Sequence, residues 1–115
     1  MRRWLVAAAL LCSESVLAQD YRRCIALDQA AAVEMAALTR DLDRLAASRE
    51  AERELQKCGG KPTSTAQVDG WYQCIYGTFP YANAAERQRY EEPIRTASDR
   101  RMQAIHAQQL KLGCP

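Results

Sequence analysis

Glycine and proline are missing from Asp20 to Cys58, and the chain holds one histidine and one phenylalanine. Each shortage excludes something. Without Gly or Pro, that segment lacks the residues that break a helix most strongly. A single imidazole, His106, with no Gly-x-Ser-x-Gly frame, leaves nucleophile–histidine–acid chemistry without its usual parts. No C-x-x-C pair occurs, so the thiol redox and haem-attachment motifs are absent. No segment alternates β-branched and polar residues, so no strand is expected. No internal repeat is visible.

Long apolar runs are missing too. The longest near the start, Trp4 to Cys12, follows Arg2 and Arg3 and precedes the polar Ser13-Glu14-Ser15. At about 1.5 Å per residue it cannot cross about 30 Å of hydrocarbon. A basic start, a short apolar core and Val16-Leu17-Ala18 instead make the pattern of a signal peptide, with cleavage expected before Gln19. Acylation of Cys12 is disfavoured by the bulky Leu11 before it. The expected organisation is a cleaved signal over 1–18 and one small domain over 19–115, periplasmic or secreted, with no membrane span after cleavage.

The mature chain carries fourteen basic and thirteen acidic side chains, net +1. That near-neutral balance lacks the basic footprint of a nucleic-acid binder. Eleven of the fourteen basic residues are Arg, a bias that fits a GC-rich bacterial genome.

Four cysteines remain after cleavage: Cys24, Cys58, Cys74 and Cys114. An even count in a short exported chain reads as a disulfide framework with three possible pairings. No two lie within four residues, so the close spacing of zinc ligands is missing.

Helix formers dominate Asp20 to Cys58, and the apolar residues Cys24, Leu27, Ala31, Met35, Leu38, Leu42 and Leu45 recur at steps of three or four. Beyond Leu45 the stripe gives way to charges, where Arg49/Glu52 and Glu50/Arg53 are spaced for weak ion pairs on a solvated face. Leu55 and Cys58 lie on another side, which implies a different contact for the last turns. Gly59 stops this helix. Lys61 to Thr65 is a linker. Thr65 is the expected cap of a second helix, Ala66 to about Tyr76, with Val68, Trp71, Tyr72 and Ile75 on one face and Gly77 and Pro80 ending it. Asn83 opens a third, with Glu86 placed for a capping box. Its stripe is Tyr90, Ile94, Ala97, Met102, Ile105 and Leu112; Pro93 predicts a kink or break, and Gly113 closes it.

The expected fold is therefore all-α: an antiparallel helical hairpin with a short third helix and two disulfides. Cys24 to Lys57 spans about 50 Å as helix and Ala84 to Leu112 about 42 Å. Folded antiparallel, they bring Cys24 to Cys114 and leave Cys58 with Cys74 at the other end. Bridging Cys58 to Cys114 would violate the ~7 Å limit on Cα separation. Such narrow, Ala-rich stripes bury little, which is why disulfides are needed, and self-association as a homodimer is a second way to cover them.

Trp71, Tyr72, Tyr76, Phe79 and Tyr81 crowd around Cys74. One account makes them a small core over the Cys58–Cys74 bridge. The other makes them a pre-organised surface for a protein partner. The mildly basic third helix, with Arg87, Arg89, Arg95, Arg100 and Arg101, is a solvated face or a site for an acidic partner. Met102 and His106, four apart, are the sole basis for an alternative class, a small periplasmic metal-handling protein. The preferred expectation is a non-enzymatic protein-binding module of the cell envelope, of inhibitor or immunity type or an accessory subunit. It requires no cofactor and no metal.

Overall fold

A computed structural model describes the backbone of residues 2–115 and the side chains of residues 18–115. The expected signal peptide and Cys12 lie outside the described side chains. Three helices follow one another: α1, Arg2–Cys58; α2, Thr65–Tyr76; and α3, Ala84–Leu112. No strand occurs among the described residues, and no helix there is long and apolar enough to cross a membrane.

The helix ends carry their local chemistry. Gly59 takes φ 74° after α1, and its N–H donates to the Leu55 carbonyl at 3.1 Å. Gly113 takes φ 68°, and the Cys114 N–H reaches back to the Gln109 carbonyl at 2.9 Å, closing α3 in a Schellman turn. That turn delivers Cys114 to its bridge. Asn83 caps α3 as expected, its side-chain oxygen accepting from the Glu86 N–H at 2.8 Å. Glu86 does not complete the capping box; its carboxylate turns to Arg49. Thr65 is the first residue of α2 rather than its cap. The cap position belongs to Ser64, whose extended backbone begins the turn without a side-chain bond. Pro93 does not break α3, which runs on to Leu112 with the proline ring exposed.

The chain forms two compact units, Met1–Ala36 with Ser98–Pro115, and Ala37–Ala97. In the first, α1 and α3 run antiparallel. As α1 advances through Cys24, Asp28 and Glu34, its partners recede through Cys114, Gln109 and Arg101. Cys24 and Cys114 are disulfide-bonded with Cα atoms 5.6 Å apart. Cys24, Leu27 and Ala31 are half-buried, and so are Met102, Ile105 and Leu112 opposite. Met35 departs from the expected stripe and is 62% exposed. The seam takes Glu34 instead, because its carboxylate accepts from Arg101 Nε at 2.8 Å, so it can approach α3 without losing its charge partner. The Arg101 bond, with help from Ser98, holds the Glu34 carboxyl below its usual range.

The second unit also pairs its helices in antiparallel sense, with Arg49 of α1 against Glu86 of α3 and Cys58 bonded to Cys74 of α2 (Cα–Cα 5.8 Å). Leu38, Leu42 and Leu45 are half-buried here, as are Tyr90, Ile94 and Ala97. The charged stretch of α1 is a solvated face only in part, with Glu52, Gln56 and Lys57 exposed. Arg49, Glu50, Arg53 and Glu54 are all half-buried. Arg49 does pair with Glu52, at 2.8 Å, but Arg53 donates to the Phe79 carbonyl at 2.6 Å. Leu55, given a contact by its register, is 63% exposed. The buried side chains among the described residues are polar: Thr78, Glu91 and Ser98, with no hydrophobic residue among them. The apolar seams are half-covered throughout, the arrangement in which two covalent bridges add most.

Candidate protein-binding surface

The segment from Trp71 to Tyr81 is held by several local restraints. The Cys58–Cys74 bridge ties α2 to the end of α1. The buried Thr78 hydroxyl donates to the Cys74 carbonyl at 2.9 Å, and its N–H to the Ile75 carbonyl at 3.1 Å. Gly77 donates to the Gln73 carbonyl, finishing α2, and Arg53 holds the next carbonyl, that of Phe79. The backbone that carries the aromatics is thus pinned from both sides.

Those aromatics do not form one core. Trp71, Val68 and Ile75 are half-buried on α2, while Tyr72, assigned to the same face, is 47% exposed. A helix turns 100° per residue, so Tyr72 stands beside that face rather than on it. Trp71 meets Tyr72 edge-on at 5.1 Å, and Tyr72 stacks on Tyr76 at 6.3 Å. The ladder therefore runs outward to Tyr76, which is 83% exposed; Phe79 is 70% exposed. The small-core account holds for Trp71 and fails for Tyr72, Tyr76 and Phe79.

Tyr81 belongs elsewhere. Its ring lies 6.3 Å from that of Tyr90, and Arg49 caps Tyr90 at 4.1 Å. The Tyr81 hydroxyl is buried without a hydrogen-bond partner. Burial first, and the nearby Glu91 carboxylate second, push its ionisation above the usual phenol value. A groove of about 500 Å³ opens beside it, lined by Leu42, Ala46, Phe79, Pro80, Tyr81 and Arg87 among others. Glu91, at its edge, accepts from Arg87 at 2.7 Å and from Arg95 at 2.9 Å, and these bonds hold its carboxyl below the usual range. Tyr90 was legible as a stripe residue of α3. Arg49 and Thr78, which organise the region, carry no signal at sequence level beyond their local spacing.

The other expected feature fares differently. Met102 is half-buried in its seam, and His106 is exposed, its Nδ1 sharing a hydrogen bond with Gln109 Oε1 at 2.9 Å. Gln109 in turn donates to Asp28. Among the described residues no three His, Cys, Asp or Glu side chains gather in a way that could hold a metal ion.

The fold and surface define a small, doubly bridged helical protein with an exposed aromatic patch. No protein-family description matches the chain, and no curated protein or solved structure does either.

Proposed function

We propose that this chain is an exported precursor whose mature domain is a non-enzymatic protein-binding module of the cell envelope, an inhibitor, immunity protein or accessory subunit. One observation carries the reading: Tyr72, Tyr76 and Phe79 stand exposed on a segment fixed by the Cys58–Cys74 bridge. Large apolar rings on a rigid backbone lose little entropy on docking and dominate interface energies. The two disulfides support an oxidising compartment, which agrees with a signal cleaved before Gln19. Pull-down from envelope extracts with the mature protein, repeated with Tyr76→Ala, tests the binding reading. Capture that the substitution does not weaken counts against the aromatic patch. Intact mass of the exported protein tests the leader: a mass beginning at Gln19 is expected, and a retained Met1 or a lipid on Cys12 would overturn it.

A further inference from the structure

In the first unit, Arg23 and Asp28 are five positions apart on α1, about 140° around the helix, and flank its seam with α3 on opposite sides. On one side Asp28 accepts from Gln109 Nε2 at 2.9 Å, and that bond closes the seam. On the other side the seam is open. A groove of about 490 Å³ is lined there by Arg23, Ala26 and Leu27 of α1 and by Gln108, Lys111 and Leu112 of α3. Both triplets have the spacing i, i+3, i+4, which keeps each on one side of its helix. Leu27 and Leu112 are half-buried, and the small Ala26 leaves the space beside them unfilled. The Cys24–Cys114 bridge, next to Arg23 and two residues from Leu112, fixes the separation of the two walls.

We propose that this groove binds a medium-chain carboxylate, its alkyl chain against Leu27 and Leu112 and its anionic head held by Arg23 and Lys111. Charge complementarity points to the anion. The lining holds two cations, one on each helix, and no acid. Neither cation forms an ion pair among the described residues, whereas the acids at the seam are engaged, Glu34 by Arg101 and Asp28 by Gln109. Size points to a small ligand. The volume falls in the range of small-molecule sites, which are apolar with a few placed polar groups. The lining covers one turn of each helix, about 6 Å along the axis, whereas a partner helix docks through anchors spread over several turns. The stems of Arg23 and Lys111 are themselves apolar, so they extend the walls while their charged heads stay at the rim to meet a carboxylate.

Titration of the oxidised mature chain with octanoate, followed by amide NMR shifts and calorimetry, tests this. Saturable binding with a Kd below about 1 mM is expected, with the largest shifts at Ala26 and Gln108. Octylamine, with the same chain and the opposite charge, and acetate, with the same head and no chain, should each bind at least about tenfold more weakly. Arg23→Glu with Lys111→Glu, and separately Ala26→Trp, which fills the groove from an exposed position, should each weaken octanoate at least about tenfold. Arg44→Glu, an exposed cation of the other unit, is the control and should bind as the wild type does. Circular dichroism and thiol titration establish that each variant keeps its helices and bridges. Octylamine or acetate binding as tightly as octanoate, or Arg44→Glu weakening it as much as the groove variants, overturns the proposal. So does a wild-type chain that ignores octanoate, including one that instead takes a glutamate-rich peptide or anionic phospholipid vesicles through the same two cations. Tyr76→Ala should leave octanoate binding unchanged, so this result and the fate of the aromatic surface are independent.

Discussion

The guanidinium carbon of Arg49 lies 4.1 Å from the centre of the Tyr90 ring. The Arg49 side chain is only 14% exposed, and it also contacts Glu52 at 2.8 Å and Glu86 at 3.5 Å. One cation thus joins α1 to α3 within the second unit by charge and by ring contact. A desolvated Arg over an aromatic face contributes about 1–2 kcal/mol. Arg49→Ala and Tyr90→Ala should each destabilise the protein by about 2 kcal/mol, and the double variant by less than their sum. Arg49→Lys should lose much of the effect despite keeping the charge, because a lysine lacks the planar fork. Denaturant melts of the four proteins measure the coupling; strict additivity would show that the contact contributes nothing.

Glu91 makes stability depend on acid. Hydrogen bonds from Arg87 first, then Arg95, lower its pKa from the ordinary 4.5. The folded value lies below the unfolded one, so the stabilisation is fully present above the ordinary carboxylate range. It is lost as pH falls through the folded pKa. Melting temperature should therefore drop below about pH 4. Glu91→Gln, which keeps the volume but not the charge, should cost about 1–2 kcal/mol near neutrality and flatten this acid limb. An unchanged limb in the variant would assign the acid sensitivity to other carboxylates.

The two bridges should differ in reach. Cys24–Cys114 closes a sequence separation of 90 residues and Cys58–Cys74 one of 16. On chain-entropy grounds the first restrains the unfolded chain by about 4–5 kcal/mol and the second by about 3. Replacing Cys24 and Cys114 together by Ser should cost more, and hydrogen exchange should rise in residues 18–36 and 98–115 while α2 stays protected. Equal loss of protection throughout would mean that the two units unfold as one.

Much of this architecture is legible in the sequence because helix formation and disulfide reach are local or geometric rules. A run free of Gly and Pro makes α1, and antiparallel pairing of α1 with α3 brings Cys24 to Cys114 in the first unit, while Cys58 and Cys74 meet in the second. What escapes reading is polar. Hydrophobic spacing favours Met35 over Glu34, yet a carboxylate that meets Arg101 can occupy the seam. Arg49 looks like half of a surface ion pair with Glu52, and nothing local announces Glu86 or Tyr90, 37 and 41 residues on. The five clustered aromatics were legible as a group, but their division was not. Trp71 and Tyr76 are five residues apart on α2 and therefore about 140° apart around it, so one turns inward and the other out.

That division makes the aromatic segment testable residue by residue. Tyr76, 83% exposed, and Phe79, 70% exposed, contribute little to folding because their rings already face solvent. Alanine at either position should change stability by less than about 0.5 kcal/mol, the usual range for exposed sites. If they are anchors for a partner, each should weaken binding by about 2 kcal/mol or more, roughly thirtyfold in Kd. Trp71→Ala should behave in the opposite way. The half-buried ring supports α2, so its loss should lower the melting temperature and expose the second bridge to reductant. Tyr81→Phe separates a further role, since it keeps the ring beside Tyr90 and removes only a hydroxyl that is buried without a partner. It should be neutral or stabilising for folding, because the desolvated group is gone. Calorimetric binding and thermal melts on the same four variants decide the matter. Should Tyr76→Ala and Phe79→Ala unfold the domain, their rings belong to the core after all; should they leave both folding and binding untouched, the partner docks elsewhere.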